Sequence, residues 1–191
     1  MAMTNRRDEL LDDWLVLHCQ QGSTEAFERL IERWQGRLWR HAYRLTGRSE
    51  AAWDVVQEAW LSITRGIVRL QEPAAFGRWA FTIVTREAAS WQRRRGRLET
   101  IASLDAPGLD VHSSETGSKS SSASDARSLL REAFHHLRSD RQAILSLHYL
   151  EGFEVREIAR ILGIPEGTAK SRLHHARAEL RVIVERIDSN E

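Results

Sequence analysis

Apolar residues recur at helical steps along most of the chain, and no run alternates cleanly between apolar and polar positions, so the pattern predicts an all-α protein. A first helix over 8–20 places Leu10, Leu11, Trp14 and Leu17 on one face and stops at Gly22. Ser23 or Thr24 caps a second helix whose inner side is Phe27, Leu30, Ile31, Trp34, Leu38, Ala42 and Leu45, closed by Gly47. Ser49 caps a third, running to about Arg69, with Ala52, Val55, Val56, Ala59 and Ile63 as its core stripe. Pro73 opens a fourth that reaches about Arg97, with Phe76, Ala80, Ile83, Val84, Glu87, Ala88 and Trp91 facing inward.

Between 98 and 125 the periodicity dissolves. Pro107, Gly108 and Gly117 join the stretch SSETGSKSSSAS, and Glu99, Asp105, Asp110, Glu115 and Asp125 face only Lys119. A segment so poor in apolar residues has nothing to bury, which makes it a flexible acidic linker and a domain boundary. The chain is thus expected to form a helical domain over 8–97 and a second over 126–187. The second carries Leu129, Leu130, Ala133, Phe134 and Leu137 on one helix, then Ile144, Leu145, Leu147 and Leu150 on the next.

Its last part is the most distinctive. Val155, Ile158, Ala159 and Leu162 make one helical face, Gly163 and Pro165 force a tight turn, and Ala169, Leu173, Ala176, Leu180, Ile183 and Ile187 make the core stripe of a final helix. Thr168, Lys170, Ser171, Arg172, His174, His175 and Arg177 lie off that stripe. Two helices joined by a short glycine-containing turn are the helix-turn-helix pattern, and cations, hydroxyls and imidazoles with few acids suit phosphates and base edges. An ordinary helical hairpin with a solvated basic face is the competing reading.

Two further surfaces fall off the core stripes. On the third helix Trp53, Trp60 and Leu61 stand beside Asp54, Gln57 and Glu58, which marks either a protein-binding surface or the edge of the core. On the fourth, Trp79, Arg86, Ser90, Arg93 and Arg97 run near one line, with Arg94 and Arg95 alongside. An aromatic at the end of an arginine ladder is how single-stranded nucleic acid is held, because every base has a π-face and every nucleotide a phosphate. Trp79 reads equally as a core-edge residue.

Composition changes this picture little. With 28 Lys and Arg against 27 Asp and Glu, the case for a nucleic-acid partner rests on where charge lies, not on its sum. The single cysteine, Cys19, excludes an internal disulfide and suits a reducing compartment, and no apolar run is long enough to span a membrane. The pairs His135-His136 and His174-His175 point about 100° apart on a helix and lack partners at ligand spacing, so neither a metal site nor a catalytic constellation is expected.

Several stretches in order resemble the extracytoplasmic-function (ECF) sigma factors of bacterial RNA polymerase: AFERLIERWQGRLWRHAYRLTG, AWDVVQEAWL and FGRWAFTIVTREAASWQRRRGR, then GFEVREIARILGIPEGTAKSRLHHARAELR. The resemblance covers about 10–97 and 126–187. It implies a cytoplasmic protein with no catalytic chemistry or cofactor of its own that binds core polymerase and promoter DNA, commonly under an anti-sigma protein. Asp54, Val55, Val56, Gln57 and Glu58 match the segment that grips the clamp helices of the largest polymerase subunit, with Trp53, Trp60 and Leu61 joining that interface. Trp79, Arg86, Ser90, Arg93, Arg94 and Arg97 match the element that takes the melted downstream (−10) strand. Thr168 to Arg177 match the reader of the upstream (−35) element. The family usually has an Arg-Asn pair and then a Leu-Ala-Leu-Asp type segment where this chain has Thr85, Arg86, Glu87, Ala88, Ala89 and Ser90, and an acid where it has Trp53. Leu137-Arg138 stands for a common Leu-Pro, and Glu154 for a Ser or Thr cap. The alternative is a free-standing helix-turn-helix regulator with a sensor or dimerisation bundle, which has no need of an arginine ladder.

Overall fold

The computed structural model describes residues 2–102 and 123–189, and the regular elements within them are all helical. They fall into two compact units, one ending at Ala102 and one after it. The first contains α1 (Ala2–Gln20), α2 (Thr24–Thr46), α3 (Ser49–Gly66) and α4 (Phe76–Ala102), with single 3₁₀ turns at Ile67–Arg69 and Pro73–Ala75. The second contains α5 (Ala123–His135), α6 (Ser139–Tyr149), α7 (Val155–Leu162) and α8 (Glu166–Asp188). Leu98 to Ala102 continue α4 and 123–125 already belong to α5, so both ends of the irregular stretch expected over 98–125 are helical; 103–122 lie outside the described residues.

Local chemistry explains the boundaries. The Ser23 hydroxyl accepts from the Ala26 N–H at 3.2 Å and caps α2. Gly47, at φ 68°, ends it in the left-handed conformation that a side chain would resist. Ser49 is not a cap: Arg48 holds that position without a side-chain bond, and Ser49 is the first helical residue.

The core of the first unit lies where α2, α3 and α4 meet. Leu30, Trp34, Leu38, Ala42, Val55, Val56, Ala59, Ile63, Phe76, Ala80, Phe81, Val84 and Ala88 are buried there. Trp34 meets Phe76 and Phe81 edge to face, at centroid distances of 5.2 and 6.4 Å. It sits so close to α4 that a Cβ on Gly77 would stand 2.6 Å from its ring. Gln20 fastens the end of α1 by donating to the Ile67 and Leu70 carbonyls at 3.0 and 2.7 Å.

The face expected to bury α1 is overturned. Leu10, Leu11, Trp14 and Leu17 are exposed, and Leu15, Val16 and Cys19 go into the core instead. The helix has apolar residues on both sides, and acids settle its rotation. Arg33 of α2 pairs with Asp12 at 2.7 Å and Asp8 at 3.4 Å, and positions 8, 12, 15 and 19 share one face. Burial pushes the Cys19 thiol upward, away from a reactive thiolate.

One buried group was not legible as such. His41 is sealed between α2 and α4, with Nε2 3.0 Å from the Thr85 hydroxyl. That hydroxyl already donates to the Phe81 carbonyl at 2.8 Å, so Nε2 carries the proton and Nδ1 is left without a partner among the described residues. Burial first, and then nearby Arg44, lower the His41 pKa from 6.5 to about 3. The unfolded chain therefore binds a proton below about pH 6.5 that the folded chain refuses until about pH 3.

Two outcomes are expected. All seven tryptophans lie between Trp14 and Trp91, so tryptophan fluorescence follows the first unit alone. In urea titrations read that way, stability declines as pH falls from about 6.5 toward 3, by about 1.4 kcal/mol per unit from His41, and His41→Phe removes this part of the slope. An unchanged slope would refute the assignment. Gly77→Ala gains about 1 kcal/mol of helix propensity but forces the buried Trp34 ring aside, an overpacking that costs about 1–3 kcal/mol. The net effect expected is a lower melting temperature, and a rise would show that Trp34 has room to yield.

Candidate nucleic-acid and protein interfaces

The helix-turn-helix is set by its turn. The Glu154 N–H donates to the Glu157 carboxylate at 3.1 Å, which lets an acid begin α7 where Ser or Thr is usual. Gly163, at φ 64°, ends it, and the Ile164 N–H bonds the Ala159 carbonyl at 3.0 Å. Pro165 then stands just before α8 at φ −59°, its carbonyl accepting from the Ala169 N–H at 3.0 Å. Ile158, Ala159 and Ile161 of α7, with Ala169, Leu173 and Ala176 of α8, are buried and fix α8 in the unit.

What remains outside is the surface expected from the sequence. Lys170, Ser171, Arg172, His174, His175 and Arg177 are exposed, and Thr168 is half-buried. Glu179, the nearest following acid on the helix, pairs with Arg141 of α6 at 3.5 Å, and Glu166 is exposed one turn before Lys170. The Arg177 guanidinium lies over the Tyr149 ring at 5.4 Å. The His174 and His175 rings stand edge to face at 5.7 Å, and no group of three or more possible metal ligands occurs among the described residues.

On α4, Arg86, Arg93 and Arg94 are exposed, and Ser90 is half-buried, accepting from Arg93 at 2.9 Å. The side chain of Arg97 lies outside the described residues. Trp79 is more packed than a free stacking platform. It is half-buried, edge-on to Phe76 at 6.2 Å, and so close to Gly66 that a Cβ there would stand 2.8 Å from its ring. Sequence reasoning passed over a second row of cations. Arg37, Arg40 and Arg44 occupy one face of α2, and Arg44 is near enough to His41, which is bonded to α4, to help depress its pKa. The three- and four-residue steps were the available signal.

On α3 the surface divides. Trp53 is 48% exposed and Leu61 44%, and Asp54, Gln57 and Glu58 are exposed with them. Trp60 is not part of this surface: at 9% exposure it packs edge-on to Phe27 of α2 at 5.8 Å. It lies far enough toward α2 to be absorbed into the helix seam. The ring of Trp53 instead meets Trp39 of α2 at 5.7 Å, and Trp39 stacks on Tyr43 at 5.4 Å with the planes 17° apart.

Comparisons with known proteins agree with this layout. The family model "Sigma-70 region 2" matches residues 30–98, and "Sigma-70, region 4" matches residues 127–180. The chain is similar to the ECF RNA polymerase sigma-E factor of Haemophilus influenzae, 30% identical over 177 residues covering 89% of this chain and 93% of that one. It is also 36% identical over 152 residues to the ECF RNA polymerase sigma factor SigL of Mycobacterium tuberculosis, covering 78% of this chain and 84% of that one. Among solved structures, the sigma factor RpoE in complex with the anti-sigma factor NepR, from Bartonella quintana, has the same fold, with a TM-score of 0.63 and 24% identity over 85% of this chain and 98% of that one. CnrH, solved with the cytosolic domain of CnrY, follows at a TM-score of 0.60 and 19% identity over 92% of this chain and 97% of that one. The chain belongs to the ECF sigma factors of RNA polymerase, with region 2 in its first helical unit and region 4 in its second.

Proposed function

We propose that the exposed face of α3 around Asp54, Gln57, Glu58 and Leu61 binds the clamp helices of the largest subunit of core RNA polymerase. In the same reading, α4 takes the melted downstream strand through Arg86, Ser90, Arg93, Arg94 and Arg97, with Trp79 as a ring at its edge. The α8 face formed by Thr168, Lys170, Ser171, Arg172, His174, His175 and Arg177 reads the upstream element. The work is done in the cytoplasm through the polymerase's chemistry, and this chain supplies placement. An anti-sigma protein, the kind of partner bound to RpoE in its solved structure, is a third partner. The expected three-part division into 8–97, 98–125 and 126–187 serves this scheme, the middle segment acting as a tether between the two DNA contacts.

The observation that carries the reading is that the first unit leaves two different faces uncovered, one acidic and apolar on α3 and one rich in arginine on α4. A sensor or dimerisation bundle attached to a free-standing regulator would have no need of the second. Anions attract the arginine row through charge, and helix faces with half-exposed apolar groups beside acids and amides suit a protein.

Run-off transcription with purified core polymerase is the primary test: added protein should produce promoter-specific transcripts, and no stimulation across a library of genomic promoters would sink the proposal. Replacing Gln57 and Glu58 together by Ala should weaken core binding while leaving helicity and melting temperature unchanged, since both side chains are exposed. For α8, Arg172→Ala and Lys170→Ala separate two roles. A base-reading residue costs about 1–3 kcal/mol and relaxes preference at one position, whereas a phosphate contact weakens all sites alike and lowers the salt slope by about one. Full binding by both variants would remove α8 as the reader.

A further inference from the structure

The setting of Trp53 differs from that of the buried tryptophans of this unit. Trp34 and Trp60 are 6% and 9% exposed, as core and core-edge rings should be, whereas Trp53 keeps 48% of its surface in solvent, as Trp14 of α1 does at 47%. It is not loose. One side of the indole rests against Trp39 at 5.7 Å, and Trp39 is backed by Tyr43 in a nearly parallel stack at 5.4 Å. Trp39 and Tyr43 are four residues apart on α2, so the stack is carried by one helix and supports a ring on the next. On α3 the steps from Trp53 to Gln57 and Leu61 are four residues each, which lines the indole up with the exposed amide and the exposed leucine of the polymerase-facing surface.

From this arrangement we infer that Trp53 is the principal apolar anchor of the contact with core polymerase, and that Trp39 and Tyr43 are positioning residues that hold its ring ready. The inference rests on the proposed role of the α3 face and deepens it. The face is continuous with Gln57 and Leu61, which commits the occupant to the same polymerase surface. What that surface must offer is a helical segment with aliphatic or guanidinium-bearing side chains for an indole to cover. Large aromatics that enter a desolvated pocket dominate interface energies, and a ring already fixed in the free protein loses little freedom on binding. An apolar contact carries no charge to screen, so this part of the grip on polymerase is insensitive to salt.

The test is competition between an N-terminally fluorescent wild-type chain and unlabelled full-length variants for purified core polymerase, at about 0.1 M and about 0.5 M salt. Trp53→Ala should lose about 30-fold in affinity, the scale of a central aromatic anchor, and by the same factor at both salt concentrations. Trp39→Leu should lose several-fold in the wild-type background and nothing further in the Trp53→Ala background, while Trp39→Phe restores most of the loss. A Trp39→Leu deficit that persists unchanged without Trp53 would mean that Trp39 acts through the fold, and would overturn the positioning role. Should Trp53→Ala bind like wild type while the Gln57 and Glu58 double variant binds weakly, the anchor is refuted and the α3 interface stands. If neither variant loses affinity, both fall together.

Discussion

The seam between α2 and α4 is what the first unit depends on. Gly77 lets the Trp34 ring come within van der Waals reach of the α4 backbone, His41 donates to Thr85, and the Gln92 side chain donates to the Leu45 carbonyl at 2.7 Å. These contacts follow one another up both helices, so α4 is held along much of its length. The same side of α4 that packs Phe81, Val84 and Ala88 cannot also meet a ligand. Arg86, Arg93 and Arg94 are therefore turned outward by the geometry of packing, with no further device needed.

The second unit solves the same problem on a smaller scale. A helix of eight residues, Val155–Leu162, is too short to be stable alone, and its stability comes from Ile158, Ala159 and Ile161 buried against α8. Gly163 and Pro165 make the turn abrupt enough that both helices present a face to one small core. The side of α8 opposite Ala169, Leu173 and Ala176 is then free for its cations. Arg141 pairs with Glu179, and Tyr149 lies beneath Arg177, so neighbouring elements tune the charge that the exposed face of α8 presents.

Helix identity and most core stripes were legible in the sequence because each stripe is a single periodic signal. Where two signals competed, periodicity did not choose. In α1 the row of Leu10, Trp14 and Leu17 is as good a stripe as Leu15, Val16 and Cys19, and the decision came from Arg33, on another helix, reaching Asp12 and Asp8. Trp60 and Trp53 both fall off the main stripe of α3, yet one is buried against Phe27 and the other half-exposed, a difference set by the neighbouring face of α2. His41 gives no local sign of burial. A polar residue within an apolar run is ordinary, and only the closing of α4 over it makes it a buried base with a depressed pKa. The exposed residues of α8 were the easiest to read, since a motif of two helices and a turn fixes its own outside.

The two kinds of surface proposed for this chain make opposite physical demands, and the fold meets both with exposed helix faces. Phosphates ask for guanidinium groups that stay hydrated until contact, which long side chains at exposed positions of α4 and α8 supply at little cost to folding. A protein surface asks for apolar area that is exposed before contact yet does not collapse onto its own core. Trp53 satisfies this because Trp39 and Tyr43 already occupy the space it would otherwise fall into. An aromatic stack on the outside of a helical bundle is then consistent with a well-formed core, because the rings of Trp34, Phe76 and Phe81 fill the inside without them.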